Sequence, residues 1–216
     1  MPDGGARDPR PSAAPASEVS RANGAAGEAR LPLAELRRLG ARVRPWSARA
    51  ADGPHGVQCG VPDGVTLLRL PSGARLARPA HVNTNFAARL IHFDEAAQRR
   101  ARELLGSPVA RIDHLGAYVC RPVKGTAGSP SEHASGNAID VAGFVLRNGR
   151  RITIARDFAR AGTDPTTPAG RFLRALLEDL RRDATFGTIL TPDFNAAHHN
   201  HFHLDGRRWS WWPVVL

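Results

Sequence analysis

Large apolar residues begin to recur at Leu31. Residues 1–30 are rich in Ala, Gly, Pro, Ser and Arg, with no aromatic residue and almost no large aliphatic one. Such a stretch buries too little surface to offset its ordering entropy and is expected to be a disordered tail or linker. After it, LPLAELRRLGARV carries leucines at 31, 33, 36 and 39, which predicts a short amphipathic helix ended by Gly40. GVTLLRLPSGARLARP predicts two strands around a Pro-Ser-Gly turn. FAARLIHF and DEAAQRRARELLG predict two helices, the second with Asp94 as its N-cap and Gly106 as its stop. VARIDHLGAYVC is β-rich, and a Gly- and Pro-containing loop follows it. NAIDVAGFVLRNGRRITIARDF predicts a hairpin, with Asn148-Gly149 as a two-residue turn. PAGRFLRALLEDLRRD places Phe172, Leu173, Leu176, Leu177 and Leu180 on one side of a helix, and FGTILTP and HFHLD predict short strands. The sum is an α+β fold: a mostly antiparallel central sheet with flanking helices, in a single domain over residues 31–216.

Composition changes this picture little. The chain has 216 residues, 42% of them hydrophobic, enough for one domain with a real core beside the tail. No apolar run approaches the ~20 residues of a membrane helix. No apolar h-region of a secretory signal is visible near the start, which argues for the cytoplasm. The protein is expected to be a monomer. The net charge is +10, and of 30 basic residues only Lys124 is a lysine. That balance fits an acidic partner such as nucleic acid, an anionic cell wall or a membrane surface. It equally fits a GC-rich genome that writes arginine for lysine and disperses the charge. The arginines do not gather in a block with interleaved aromatics, so nucleic acid is the weaker choice. Cys59 and Cys120 are the only cysteines and belong to no CxxC pair, which excludes a cysteine-based zinc site. They are either one disulfide closing a long loop or two buried thiols. The terminal RRWSWWPVVL is expected to pack a final strand or tail over the core, with sugar stacking as the alternative.

The candidate chemistry lies in SEHASGNAID, residues 131–140, and HHNHFHLD, residues 198–205, which hold five of the nine histidines. Asp140 sits between apolar residues on an expected strand, where a carboxylate is costly unless paired with an arginine or bound to metal. Gly136 lets the chain turn sharply between His133 and that strand. If HHNHFHLD is a strand, His199, His201 and His203 share one face, and Phe202 and Leu204 face the core. Two histidines and a carboxylate suit Zn²⁺ with a position left open, and neighbouring histidines could exchange protons near neutral pH. Non-haem Fe(II) uses a similar set but usually with a close HxD pair, which is absent here.

SEHASGNAID resembles the SxHxxGxAxD motif of the zinc peptidases that group lysostaphin, D-Ala-D-Ala carboxypeptidases and the hedgehog fold, and HHNHFHLD resembles their closing HxH. The combined pattern, over about residues 55–206 with its motif core at 109–206, looks most like the bacterial extensin-like C-terminal domain family. The resemblance implies His133, Asp140 and His203 as zinc ligands and His201 as the catalytic or oxyanion-supporting histidine. His199 could assist, and Arg121 resembles an arginine that contacts substrate oxygen, a role suited to a planar cation. Ser131 and Asp205 are candidates to support the ligands. The carboxypeptidase branch usually has a catalytic glutamate three residues before its last histidine; Asn200 stands there instead. The extensin-like family also usually carries more than two cysteines.

The resemblance implies a zinc-dependent hydrolase of amide bonds in peptidoglycan peptides, or of another anionic wall polymer, in the periplasm or cell envelope. The alternative is a non-catalytic, zinc-containing wall-binding module. A nucleic-acid enzyme is a third class, suggested only by charge and histidines.

Overall fold

The computed structural model describes residues 31–126 and 128–207, and the backbone of residues 214–215. The expectations for residues 1–30 and for the three C-terminal tryptophans lie outside the described residues. Among the described residues, nine strands form one mixed sheet. They are β1 (Arg42–Asp52), β2 (Gln58–Arg69), β3 (Arg75–Asn83), β4 (Val109–Gly116), β5 (Ala138–Leu146), β6 (Arg151–Thr153), β7 (Thr188–Leu190), β8 (Phe202–Asp205) and β9 (Val214–Val215). Their order is β1-β2-β3-β4-β5-β8-β7-β9, with β6 also on β5. Most pairs are antiparallel, but β3–β4 and β7–β9 run parallel. The helices are α1 (Leu33–Arg38), α2 (Thr84–Leu105), the single turn α3 (Ile154–Asp157) and α4 (Pro168–Arg182). The α+β class holds, and the sheet is mixed, mostly antiparallel with two parallel pairs.

One face of the sheet and the apolar sides of the helices make the main core. Val43, Val65, Leu67, Leu76, Val82, Ile112, Ile139, Val141 and Phe144 come from the strands, and Phe86, Leu90, Phe93, Phe172, Leu173, Leu176 and Leu180 from the helices. Two guanidinium groups of α2 and one of α4 surround the fully buried Asp179: Arg99 at 2.9 Å, Arg100 at 2.8 Å and Arg182 at 2.9 Å. This pins the two helices together in register.

Two local expectations are corrected. The two helices expected between residues 86 and 106 are one helix, α2, capped by Asn83, whose side chain accepts from the Phe86 amide at 2.7 Å. Asp94 is not a cap. It is buried in the middle of the helix and accepts from the Ser72 amide and hydroxyl at 3.1 and 2.8 Å, tying α2 to the β2–β3 turn. The β5–β6 connection is also longer than a two-residue turn. The Leu146 amide donates to Arg150, and the Gly149 amide donates back to Leu146 with Gly149 at φ 85°. This is a tight turn closed by a left-handed glycine, the next commonest hairpin solution.

Cys59 and Cys120 form a disulfide with a Cα–Cα distance of 5.5 Å across a separation of 61 residues. It fastens the loop after β4 to β2, beside a small cluster of Val57, Cys59 and Ala134. No helix among the described residues is long and apolar enough to cross a membrane.

Candidate metal centre

The centre is assembled from a tight turn and two paired strands. Ser131 begins a 3₁₀ turn, Glu132–Ser135, by accepting the His133 amide on its hydroxyl at 3.4 Å. Gly136 ends the turn at φ 64°, and a Cβ there would lie 2.9 Å from the Asn83 amide nitrogen, which donates to the Gly136 carbonyl. Only glycine suits both the left-handed backbone and this approach. The chain then enters β5, where Ile139 and Val141 point into the core and Asp140 points out of the other face. Asp140 is directly opposite His203 of β8.

His133, Asp140 and His203 therefore converge. The His203 Nδ1 lies 2.9 Å from Asp140 Oδ1, His133 Nε2 lies 3.3 Å from the same oxygen, and the two nitrogens are 3.2 Å apart. Potential ligand atoms of all three residues lie within 4.8 Å of one another. Asp140 thus pairs with imidazoles and with no arginine among the described residues. The outer ring nitrogens are also accounted for. His133 Nδ1 bonds the Ala117 carbonyl, which can only accept, so that nitrogen carries the proton and Nε2 is left with its lone pair facing inward. His203 Nε2 donates to Asp205 Oδ2 at 3.3 Å. Such partners behind ligating histidines fix the tautomer and the ring orientation. The cluster could hold a metal ion.

Without an ion, the close-set groups share protons. Burial alone would raise the Asp140 carboxyl, but the rings of His133 and His203 beside it, which donate to it and carry charge when protonated, hold it well below the usual carboxylate range. Burial alone would lower His203, yet its bonds to Asp140 and Asp205 push it up to about 9. His201 moves the other way. Burial lowers it, and neighbouring imidazoles add to that against the attraction of Asp140.

His201 is buried just before β8, with Nε2 3.6 Å from Asp140 Oδ1 and Nδ1 2.9 Å from the Asn200 side-chain oxygen. It lines, with Arg121, Ser131, Asp140, His203 and Asp205, a cavity of about 770 Å³. Asp205 is buried behind His203 and also accepts the Arg207 amide at 2.9 Å. Arg121 follows the disulfide directly, with one guanidinium nitrogen 3.2 Å from the Pro122 carbonyl.

His199 is where sequence and structure part. The strand begins only at Phe202, so the alternating face does not reach back to it. His199 lies at the end of a 3₁₀ turn, Ala196–His198, is exposed, hydrogen-bonds the Ala196 carbonyl at 2.8 Å and does not line the cavity. Its neighbour His198 does, with its ring centroid 5.1 Å from that of His201. Burial and the charges of His201 and His203 lower His198 to about 4. The signal that could have found it is the Asn195 three residues earlier, which caps the turn and accepts from His198 Nδ1 at 2.8 Å. Phe194 and Lys124, also on the cavity wall, carried no such signal.

Fold and site together define a class: an α+β domain whose sheet carries a His–Asp–His cluster, suited to a metal ion, at the wall of an open cavity. A comparison with protein-family models matches residues 33–214 to the extensin-like protein C-terminus. The chain belongs to that family. Comparisons with curated proteins and with solved structures gave no match.

Proposed function

We propose that this protein is a zinc-dependent hydrolase of amide bonds in peptidoglycan peptides, acting in the cell envelope and related in mechanism and fold to the lysostaphin, D-Ala-D-Ala carboxypeptidase and hedgehog-type group. The observation that carries the reading is the convergence of His133, Asp140 and His203, each histidine's outer N–H anchored, on the wall of a cavity that also presents His201 and Arg121. Two nitrogens and one carboxylate oxygen suit zinc with a position left open. When bound, zinc supplies Lewis acidity, which polarises a carbonyl and makes water nucleophilic near neutral pH.

The chain's own residues do the rest. His201 keeps Nδ1 toward the Asn200 side-chain oxygen, so its Nε2 faces the site as an acceptor. Its lowered proton affinity keeps it neutral, the state a general base needs, and the proton it takes can pass to the departing amine. Arg121 offers a planar cation to carbonyl or carboxylate oxygen of the substrate. The disulfide fits an oxidising compartment outside the cytoplasm.

A second reading, a non-catalytic zinc module that binds wall polymer, is favoured by one observation. Asn200 occupies the place of the glutamate that the carboxypeptidase branch uses for catalysis. The experiment is a peptide-release assay on purified peptidoglycan. The hydrolase reading expects one zinc per chain, release that chelation abolishes and zinc restores, and a fall of about 10²–10⁴-fold in His201→Ala with zinc retained. Zinc bound with no release by the wild type establishes the second reading instead.

A further inference from the structure

Away from the metal cluster, the dispersed arginines of the sequence are ordered by strand register. Arg42 of β1 stands opposite Arg69 of β2, Arg69 opposite Arg75 of β3, and Arg75 opposite Arg111 of β4. The row continues through Val145 of β5 to Arg151 of β6. Directly opposed residues share a face of a sheet. Here it is the face turned from the core: Val43, Leu76 and Ile112, next in sequence, are buried, whereas Arg42, Arg69 and Arg75 are exposed.

Like charges directly opposite one another destabilise a sheet, so such a row needs a reason. Asp113 offsets Arg111 at 2.7 Å and Arg151 at 3.3 Å. Arg42, Arg69 and Arg75 have no carboxylate partner among the described residues. Asp140 opens on the same face. An irregularity in the β4–β5 pairing between Asp113 and His114 brings Val145 and Asp140 to one side although they are an odd number of residues apart. Five residues of strand span about 17 Å. Between them that face of β5 carries the small residues Ala142 and Gly143, the second buried where the Ile152 carbonyl of β6 comes against it.

We propose that the arginine row is a docking surface for the acidic stem peptides of peptidoglycan, gripping their carboxylates while another part of the polymer reaches the metal cluster. The occupant is chosen by charge complementarity, and its identity rests on the function proposed above. Guanidinium forks pair well with carboxylates.

The test is cosedimentation of the full chain with purified peptidoglycan at low salt. Wild type is compared with Arg69→Gln/Arg75→Gln, and wild type is also tested on peptidoglycan whose carboxylates have been converted to neutral amides. The double variant is expected to bind about tenfold more weakly, as two exposed ion pairs are worth. Amidation is expected to weaken wild-type binding equally. Thermal melting checks that the double variant is folded, and the amidated polymer tests the same contact without any substitution. Unchanged binding in either arm overturns the proposal. So does tighter row-dependent binding to a DNA duplex, which would make nucleic acid the occupant. Row-dependent binding without peptide release by the wild type would defeat the hydrolase reading alone, and release without row dependence would defeat only this proposal.

Discussion

His203 has a carboxylate at each ring nitrogen, Asp140 on one side and Asp205 on the other. In metal-free protein this holds a proton on the ring up to about pH 9. Because that value is raised above the ordinary ~6.5 of imidazole, the pairing stabilises the fold fully below ~6.5 and the contribution is lost as pH rises through about 9. A metal ion must displace the same proton from Nδ1. Melting temperatures of metal-free protein should therefore fall between pH ~6.5 and 9, while those of zinc-loaded protein should hold over that window. Parallel melting curves for the two forms would mean that the ion does not engage His203. The set His133, Asp140 and His203 was implied by the resemblance of the two motifs, and the structure brings these three residues together. Their proton states were not legible in the sequence, since these depend on Ala117, Asn200 and Asp205 lying behind the rings.

At the scale of elements, most helices and strands follow from the apolar pattern. Two of the failures come from polar side chains, one serving a partner distant in sequence and the other capping a turn. Asp94 looks like a helix cap by its neighbours, but it serves a turn 22 residues away. His199 looks like a strand residue by its spacing, but Asn195 caps a 3₁₀ turn that delays β8 until Phe202. The arginine row was invisible for a related reason: strand register cannot be read from a list of dispersed arginines. Gly136 was readable as a turn, though not as the point where β3 and the His133 turn touch. Gly136→Ala puts a Cβ against the Asn83 amide at a left-handed φ and should cost about 2 kcal/mol or more. Denaturant unfolding of zinc-loaded protein measures this, and a zinc titration should show weakened binding as His133 shifts. A variant as stable as wild type would show that the turn can relax.

For the molecule as a whole, the disulfide links the sheet to the loop that carries Arg121 toward the cavity. Closing a loop of this size restricts the unfolded chain by about 4 kcal/mol in the chain-entropy view. Reduction, or Cys59→Ala/Cys120→Ala, should lower the melting temperature by about 10 °C and weaken both substrate turnover and zinc affinity, because the loop it frees carries the Ala117 carbonyl behind His133. Differential scanning calorimetry with a zinc titration checks both parts, and unchanged zinc affinity on reduction would show that β5, β8 and the Gly136 turn hold the ligands by themselves.

The central claim is that the metal centre cuts amide bonds in peptidoglycan. Mass spectrometry of purified peptidoglycan incubated with zinc-loaded wild type, with Asp140→Ala as control, tests it most directly. The account predicts soluble peptides carrying a new amine or carboxyl end with the wild type and none with the variant. Identical digests from the two proteins would contradict it.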